Sequence, residues 1–105
     1  MRPSRARTYC ILAALALITA QMVVIHHEGQ IPTAIALLSA HLSASVALQK
    51  VHNVPKFIMM GHVAAFVNYL GVQQEVVKFA HSFIGGIPLW LPFAWANACA
   101  LARYL

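Results

Sequence analysis

Acidic side chains are almost missing from this chain of 105 residues, which has no aspartate and two glutamates, Glu28 and Glu75. The two glutamates are far apart in the sequence, in or beside predicted outer connections, so we expect no carboxylate pair for acid–base catalysis. Charged residues make up 9% of the chain, against about 25% in soluble domains. Because a soluble fold with so few charges would expose large apolar patches, the composition indicates a membrane protein.

Motifs for catalysis and for metal binding are also missing. Cys10 and Cys99 form no C-x-x-C pair and have no zinc-site spacing, so we interpret them as thiols that pack like small hydrophobic residues. We find no nucleophile–base pair, no glycine-rich phosphate loop and no soluble catalytic domain, and we predict that the protein is not an enzyme. The basic residues are spread between apolar stretches instead of clustered on one face, which argues against nucleic-acid binding.

Four apolar stretches approach the length that a helix needs to cross a bilayer. They predict helices at about 9–25, 32–49, 55–72 and 83–102. We therefore predict an all-α membrane protein with a single domain, residues 1–105, folded as a compact bundle of four short transmembrane helices. Residues 73–82 are polar on one side and are predicted to extend helix three as an amphipathic segment. Buried helices of a soluble protein are the alternative, which the low charge content disfavours.

The positions of the basic residues predict the orientation of this bundle. With the N-terminus inside, six of the seven lysines and arginines lie on the inner side, and only Lys78 lies on the outer side. The positive-inside rule then places both termini in the bacterial cytoplasm or the mitochondrial matrix, and the chain in the corresponding inner membrane. The first 25 residues also fit a signal peptide cleaved after Ala20, and this alternative stays open.

Rows of small side chains mark two of the predicted helices as packing surfaces. Small residues let helix backbones approach closely, which favours helix association in lipid. The predicted packing residues are Ala36, Ala40 and Ala44 with Ser39 and Ser43 in helix two, and Ala94 and Ala98 in helix four. We expect these rows to pack within the bundle, and contact with another chain is the alternative.

Three polar side chains lie at similar depth within the predicted membrane segments: His41, His62 and Asn97. Ionisable residues at such depth usually face the interior of a helix bundle. We expect neutral histidines that hydrogen-bond to Ser45 or to a facing helix, and no bound cofactor. The alternatives are a b-type haem ligated by His41 and His62, and a path for protons or a solute.

Further histidines lie in the predicted outer connections. His26 and His27 precede Glu28 after helix one, and His81 precedes helix four. All four residues are of types that bind metals, but neighbouring histidines point in different directions on most backbones. We therefore expect solvated polar loops and predict no metal site.

The missing catalytic motifs and the abundant small residues favour a small non-catalytic integral membrane subunit that packs within a larger membrane complex. Its predicted partners are the lipid bilayer and other membrane subunits, or further copies of itself. The alternative functions are a haem-bearing subunit that uses His41 and His62, and a small lipid or metabolite carrier or pore-former.

Overall fold

A computed structural model of the chain describes residues 4–79 and 81–104. Its helices are α1 (Arg5–Val24), α2 (Gln30–Ala47), α3 (Val54–Gln73) and α4 (Leu91–Tyr104), with a short 3₁₀ turn at Val51–Asn53. Across these described residues there is no β-strand, only an isolated bridge between Ile84 and Ile87. The all-helical class predicted from the sequence is confirmed.

Two of these helices, α1 and α2, are long and apolar enough to cross a membrane. The helix α3 has 20 residues but does not reach the same hydropathy. The helix α4 has 14 residues and reaches about 21 Å, less than the roughly 30 Å of a hydrocarbon core. Two apolar helices near the N-terminus are weak support for a membrane location, and the bundle of four spans stays a prediction.

The first helix begins four residues earlier than its apolar run. The hydroxyl of Ser4 accepts a hydrogen bond from the backbone N–H of Arg7 at 3.2 Å, which is the N-cap role that serine favours. The helix α1 therefore extends towards the N-terminus beyond its apolar run and includes the basic residues that precede the run. Since only five residues separate α1 from α2, the two helices run antiparallel.

The predicted amphipathic extension of α3 over residues 73–82 is wrong, because the helix ends at Gln73. Glu75 adopts a left-handed backbone with φ 62°. Its N–H donates to the Val72 carbonyl at 3.0 Å, and the next N–H, that of Val76, donates to the Gly71 carbonyl at 2.9 Å. These two bonds form a Schellman motif, which turns the chain away from the helix axis. Ala80, within the predicted segment, lies outside the described residues.

The fourth helix begins at Leu91, well after the predicted start at residue 83. Gly85 and Gly86 have φ values of 60° and 84°, and this left-handed backbone is open to glycine at no steric cost. A Cβ added at Gly85 would lie 2.7 Å from the Tyr69 ring. The glycine pair therefore folds the segment before α4 as a turn against the end of α3.

The closest helix packing in the described structure is between α3 and α4. A Cβ added at Gly61 would overlap the carbonyl oxygen of Pro92 and lie 2.9 Å from the backbone nitrogen of Ala96. The α3–α4 core beside this contact contains Phe57, Ala96 and Ala100. A glycine at this position therefore permits the two backbones to touch.

Candidate functional site

A buried polar network lies where α1, α2 and α4 meet. Asn97 on α4 is fully buried, and its side-chain oxygen lies 2.9 Å from Nδ1 of His41 on α2. The side-chain nitrogen of Asn97 donates to the hydroxyl of Thr19 on α1 at 3.1 Å, and to the Leu37 carbonyl at 3.2 Å. One asparagine therefore joins three helices through hydrogen bonds.

The same network assigns the tautomer of His41. Because the amide nitrogen of Asn97 donates both of its hydrogens, its oxygen faces the imidazole, and Nδ1 of His41 must carry the proton. The other ring nitrogen, Nε2, is buried and has no hydrogen-bond partner among the described residues. The ring edge packs against Phe57 of α3, with centroids 6.0 Å apart.

The second predicted haem ligand, His62, lies elsewhere. It is exposed, and its Nδ1 bonds to the carbonyl of Ile58 in its own helix at 2.8 Å. Phe57 faces His41, and His62 follows five residues later, which is about 140° further around the helix. The structure therefore brings Asn97 to His41 but leaves His62 on a different face of α3.

The small residues of α2 line an open groove instead of a closed interface. The groove runs between α1 and α2 and has a volume of about 450 Å³. Its lining includes all five predicted packing residues of α2, with facing side chains of α1: Ala36, Ser39, Ala40, Ser43, Ala44, Ala47, Ile11, Ala14, Leu15 and Ile18. These rows leave space beside α1 that no residue of the described chain fills.

The predicted packing row of α4 faces the interior only in part, since Ala94 packs at the edge of the core. Ala94 is half-buried and Ala98 is exposed, whereas Ala96 and Ala100 are buried. The reason is the contact at Gly61, which brings the Ala96 side of α4 against α3. Spacing alone identified α4 as a small-residue helix but not the side that packs.

A cluster of three metal-binding side chains lies at one end of the molecule. Ligand atoms of His27, Glu28 and His81 all lie within 4.8 Å of one another. The Nε2 atom of His81 is 3.9 Å from a carboxylate oxygen of Glu28, and the rings of His27 and His81 have centroids 5.3 Å apart. Sequence reasoning named these residues as ligand types but missed their convergence, because the connections are distant in the sequence.

Charged side chains divide between the two ends of the bundle. One end carries the start of α1, the α2–α3 connection and the end of α4, with Arg5, Arg7, Lys50, Lys56 and Arg103. Across this end the side-chain nitrogen of Asn53 donates to the hydroxyl of Tyr104 at 2.9 Å. The opposite end carries both glutamates, Lys78 and His81. The basic residues of the described chain are therefore concentrated at one end.

Comparisons with protein-family models, with curated proteins and with solved structures found no match to this chain.

Proposed function

We propose that this chain is a small non-catalytic subunit of a larger membrane complex, and that its α1–α2 groove receives a transmembrane helix of another subunit. The observation that carries the proposal is the open groove lined by small residues. Two further features support it, the exposed apolar side chains and the charge distribution.

Large apolar side chains are exposed on all four helices of the described chain, most of all on α1, α2 and α3. The residues Leu17, Val24, Ile35, Val46, Met59 and Phe66 each expose 58% or more of their surface. Only 11% of the apolar window of α1 and 33% of that of α2 are buried, whereas a core helix of a soluble protein is mostly buried. Exposure on this scale disfavours a water-soluble monomer and is compatible with contact to lipid or to another membrane helix.

The groove has a shape that suits a helix. Its α2 residues Ala36, Ala40 and Ala44 recur at one-turn spacing, so it runs along the helix axis for about 12 Å between the first and the last. Small side chains allow close backbone approach, and Ser39 and Ser43 offer hydroxyl groups for hydrogen bonds between helices. An occupant must therefore be elongated and lie along α1 and α2.

The charge distribution supports an orientation for this subunit. The end with Arg5, Lys50 and Arg103 would face the cytoplasm or matrix, because basic residues favour the inner side. The end with Glu28 and His81 would face outside. We propose the bacterial or mitochondrial inner membrane as the location.

Photo-crosslinking from the groove tests this proposal in native membranes. In a background with Cys10→Ser and Cys99→Ser, Ser43→Cys carries a cysteine-linked photoprobe within the groove, and Val46→Cys carries it on the exposed face outside the groove. We expect Ser43→Cys to give one stoichiometric adduct with a different membrane polypeptide, and Val46→Cys to give none.

A pair of alanine variants makes the test specific. Ala40→Leu fills the groove, whereas Ala13→Leu adds the same side chain at an exposed site of α1 outside it. The adduct should be lost in Ala40→Leu and kept in Ala13→Leu. Adducts with lipid alone would favour the carrier function. Adducts between two copies of the 11.5 kDa chain would show that the groove binds a second copy of this chain and not a different subunit.

The haem-bearing alternative has less geometric support. The buried Nε2 atom of His41 has no hydrogen-bond partner among the described residues while Nδ1 donates to Asn97, and in many metal sites the ring nitrogen that does not bind the metal donates a hydrogen bond in this way. However, His62 is exposed and bonded to its own helix, so the two imidazoles do not face a shared cavity. Absorbance in the Soret region of the purified protein would favour haem over our proposal.

A further inference from the structure

We propose that His27, Glu28 and His81 bind a divalent transition-metal ion such as Zn²⁺, at the end of the bundle formed by the α1–α2 connection and the segment before α4. The three ligand atoms lie within 4.8 Å of one another. This proposal is independent of the subunit role, because it concerns the isolated chain.

The distances between these side chains suit a metal ion after small rotations. A tetrahedral zinc site with bonds of about 2.0–2.2 Å places its ligand atoms roughly 3.3–3.6 Å apart. The Nε2 atom of His81 and the Glu28 carboxylate oxygen are 3.9 Å apart. Because Glu28 and His81 are exposed, their side chains can move by the remaining distance without disturbing packed neighbours.

Hydrogen bonds hold the backbone of both segments that carry the metal-binding side chains. The side chain of Gln30 donates to the His81 carbonyl at 3.2 Å and accepts from the N–H of Leu89 at 2.9 Å. The indole N–H of Trp90, a buried residue, donates to the His27 carbonyl at 3.1 Å. These bonds connect the two ligand-bearing segments without using the side chains of His27, Glu28 or His81, which stay available to bind a metal ion.

The residue types select the class of metal. Two imidazoles and one carboxylate suit Zn²⁺, Cu²⁺ or Ni²⁺, whereas Mg²⁺ and Ca²⁺ prefer oxygen ligands alone. Three protein ligands leave a fourth tetrahedral position for water. A bound ion would also cancel the negative charge of Glu28 and connect α1–α2 to the segment before α4.

Zinc binding by the purified chain, free of any histidine tag, tests the proposal. We expect one Zn²⁺ per chain in competition with a chromophoric chelator, a higher melting temperature with Zn²⁺, and no such effect of Mg²⁺. His81→Ala and Glu28→Gln should each weaken Zn²⁺ binding by at least about tenfold. Both positions are exposed, so the metal-free melting temperatures should match that of the wild type.

His52→Ala is the matched control, since His52 is also exposed but lies in the connection at the opposite end. It should change the affinity for Zn²⁺ by less than about twofold. The proposal is overturned if the wild type binds no Zn²⁺, if His81→Ala binds it as tightly as the wild type, or if His52→Ala loses as much affinity as His81→Ala.

Discussion

The two helix pairs of this molecule use small residues in opposite ways. Between α3 and α4, Gly61 meets the backbone at Pro92 and Ala96 so closely that no Cβ fits. Between α1 and α2, alanines such as Ala40 and serines such as Ser43 line an open groove of about 450 Å³. In the α3–α4 pair the small residue makes its close contact within the chain. In the α1–α2 pair the small residues leave space for a further helix.

This difference matters because both pairs look alike in sequence. Small residues at helical spacing predict close approach but not the identity of the helix that approaches. In α3–α4 the approaching helix belongs to the same chain. In α1–α2 we propose that it belongs to another subunit. The stability of the isolated chain separates the two cases, because only a contact within the chain contributes to it.

Gly61→Ala should have the largest effect. The added methyl group would overlap the Pro92 carbonyl, so α3 and α4 must separate, at a cost of about 3 kcal/mol of unfolding free energy. Gly71→Ala is the control, because a Cβ there meets the Val77 side chain at 3.2 Å and no backbone atom of another segment, and alanine favours helix by about 1 kcal/mol. Unfolding in mixed micelles measures both, and equal stability of the two variants would contradict the closed interface.

Asn97→Ala should have the next largest effect. It leaves the Nδ1–H of His41 without a partner in a buried site and removes the bonds of Asn97 to Thr19 and to the Leu37 carbonyl, which we expect to cost about 2 kcal/mol. Asn68→Ala is the matched control, since Asn68 donates only to the Ala64 carbonyl of its own helix, and it should change stability by less than about 0.5 kcal/mol. A loss of equal size in both variants would mean that the network does not join the helices.

Gln49→Gly and Glu75→Gly should each stabilise the chain by a smaller amount. Both residues have left-handed backbones, with φ of 60° and 62° at the ends of α2 and α3, where a side chain costs about 1–2 kcal/mol. After the entropy that glycine adds to the unfolded chain, we expect a gain of about 0.5–1 kcal/mol in each. Similar gains in stability in both variants would show that the α1–α2 and α3–α4 pairs differ in side-chain packing and not in how their helices end. A loss of stability in either variant would contradict the assigned turn.

Ala40→Leu should have the smallest effect on the isolated chain. The new side chain enters the open groove, so we expect a change within about 0.5 kcal/mol, despite the effect proposed above on assembly. The measurement is the unfolding free energy of the purified chain, compared with that of Ala13→Leu. A loss like that of Gly61→Ala would show that α1 and α2 close on each other in solution and that the groove is not a free surface.

The sequence predicted both ends of α2 and α3 to within two residues, but it placed the start of α1 four residues too late and that of α4 eight residues too early. Apolar runs and low charge content determine where helices form, because these are local properties. Helix three was predicted at 55–72, close to the observed Val54–Gln73, but its extension over 73–82 was wrong, since the left-handed backbone at Glu75 has no glycine to signal the turn. The start of α4 was placed too early, because Gly85 and Gly86 looked like interruptions within a span and instead form a turn against Tyr69.

The candidate sites likewise depend partly on the sequence and partly on the tertiary structure. The sequence by itself determined which residues are available: the small side chains of α2, the deep polar residues, and the histidines of the connections. Only the tertiary structure decided which of them meet, bringing Asn97 to His41 and His81 to Glu28. The physical reason is that contacts between distant segments depend on how each helix is rotated about its axis. That rotation is decided by close approaches such as the one at Gly61, which composition and spacing do not encode.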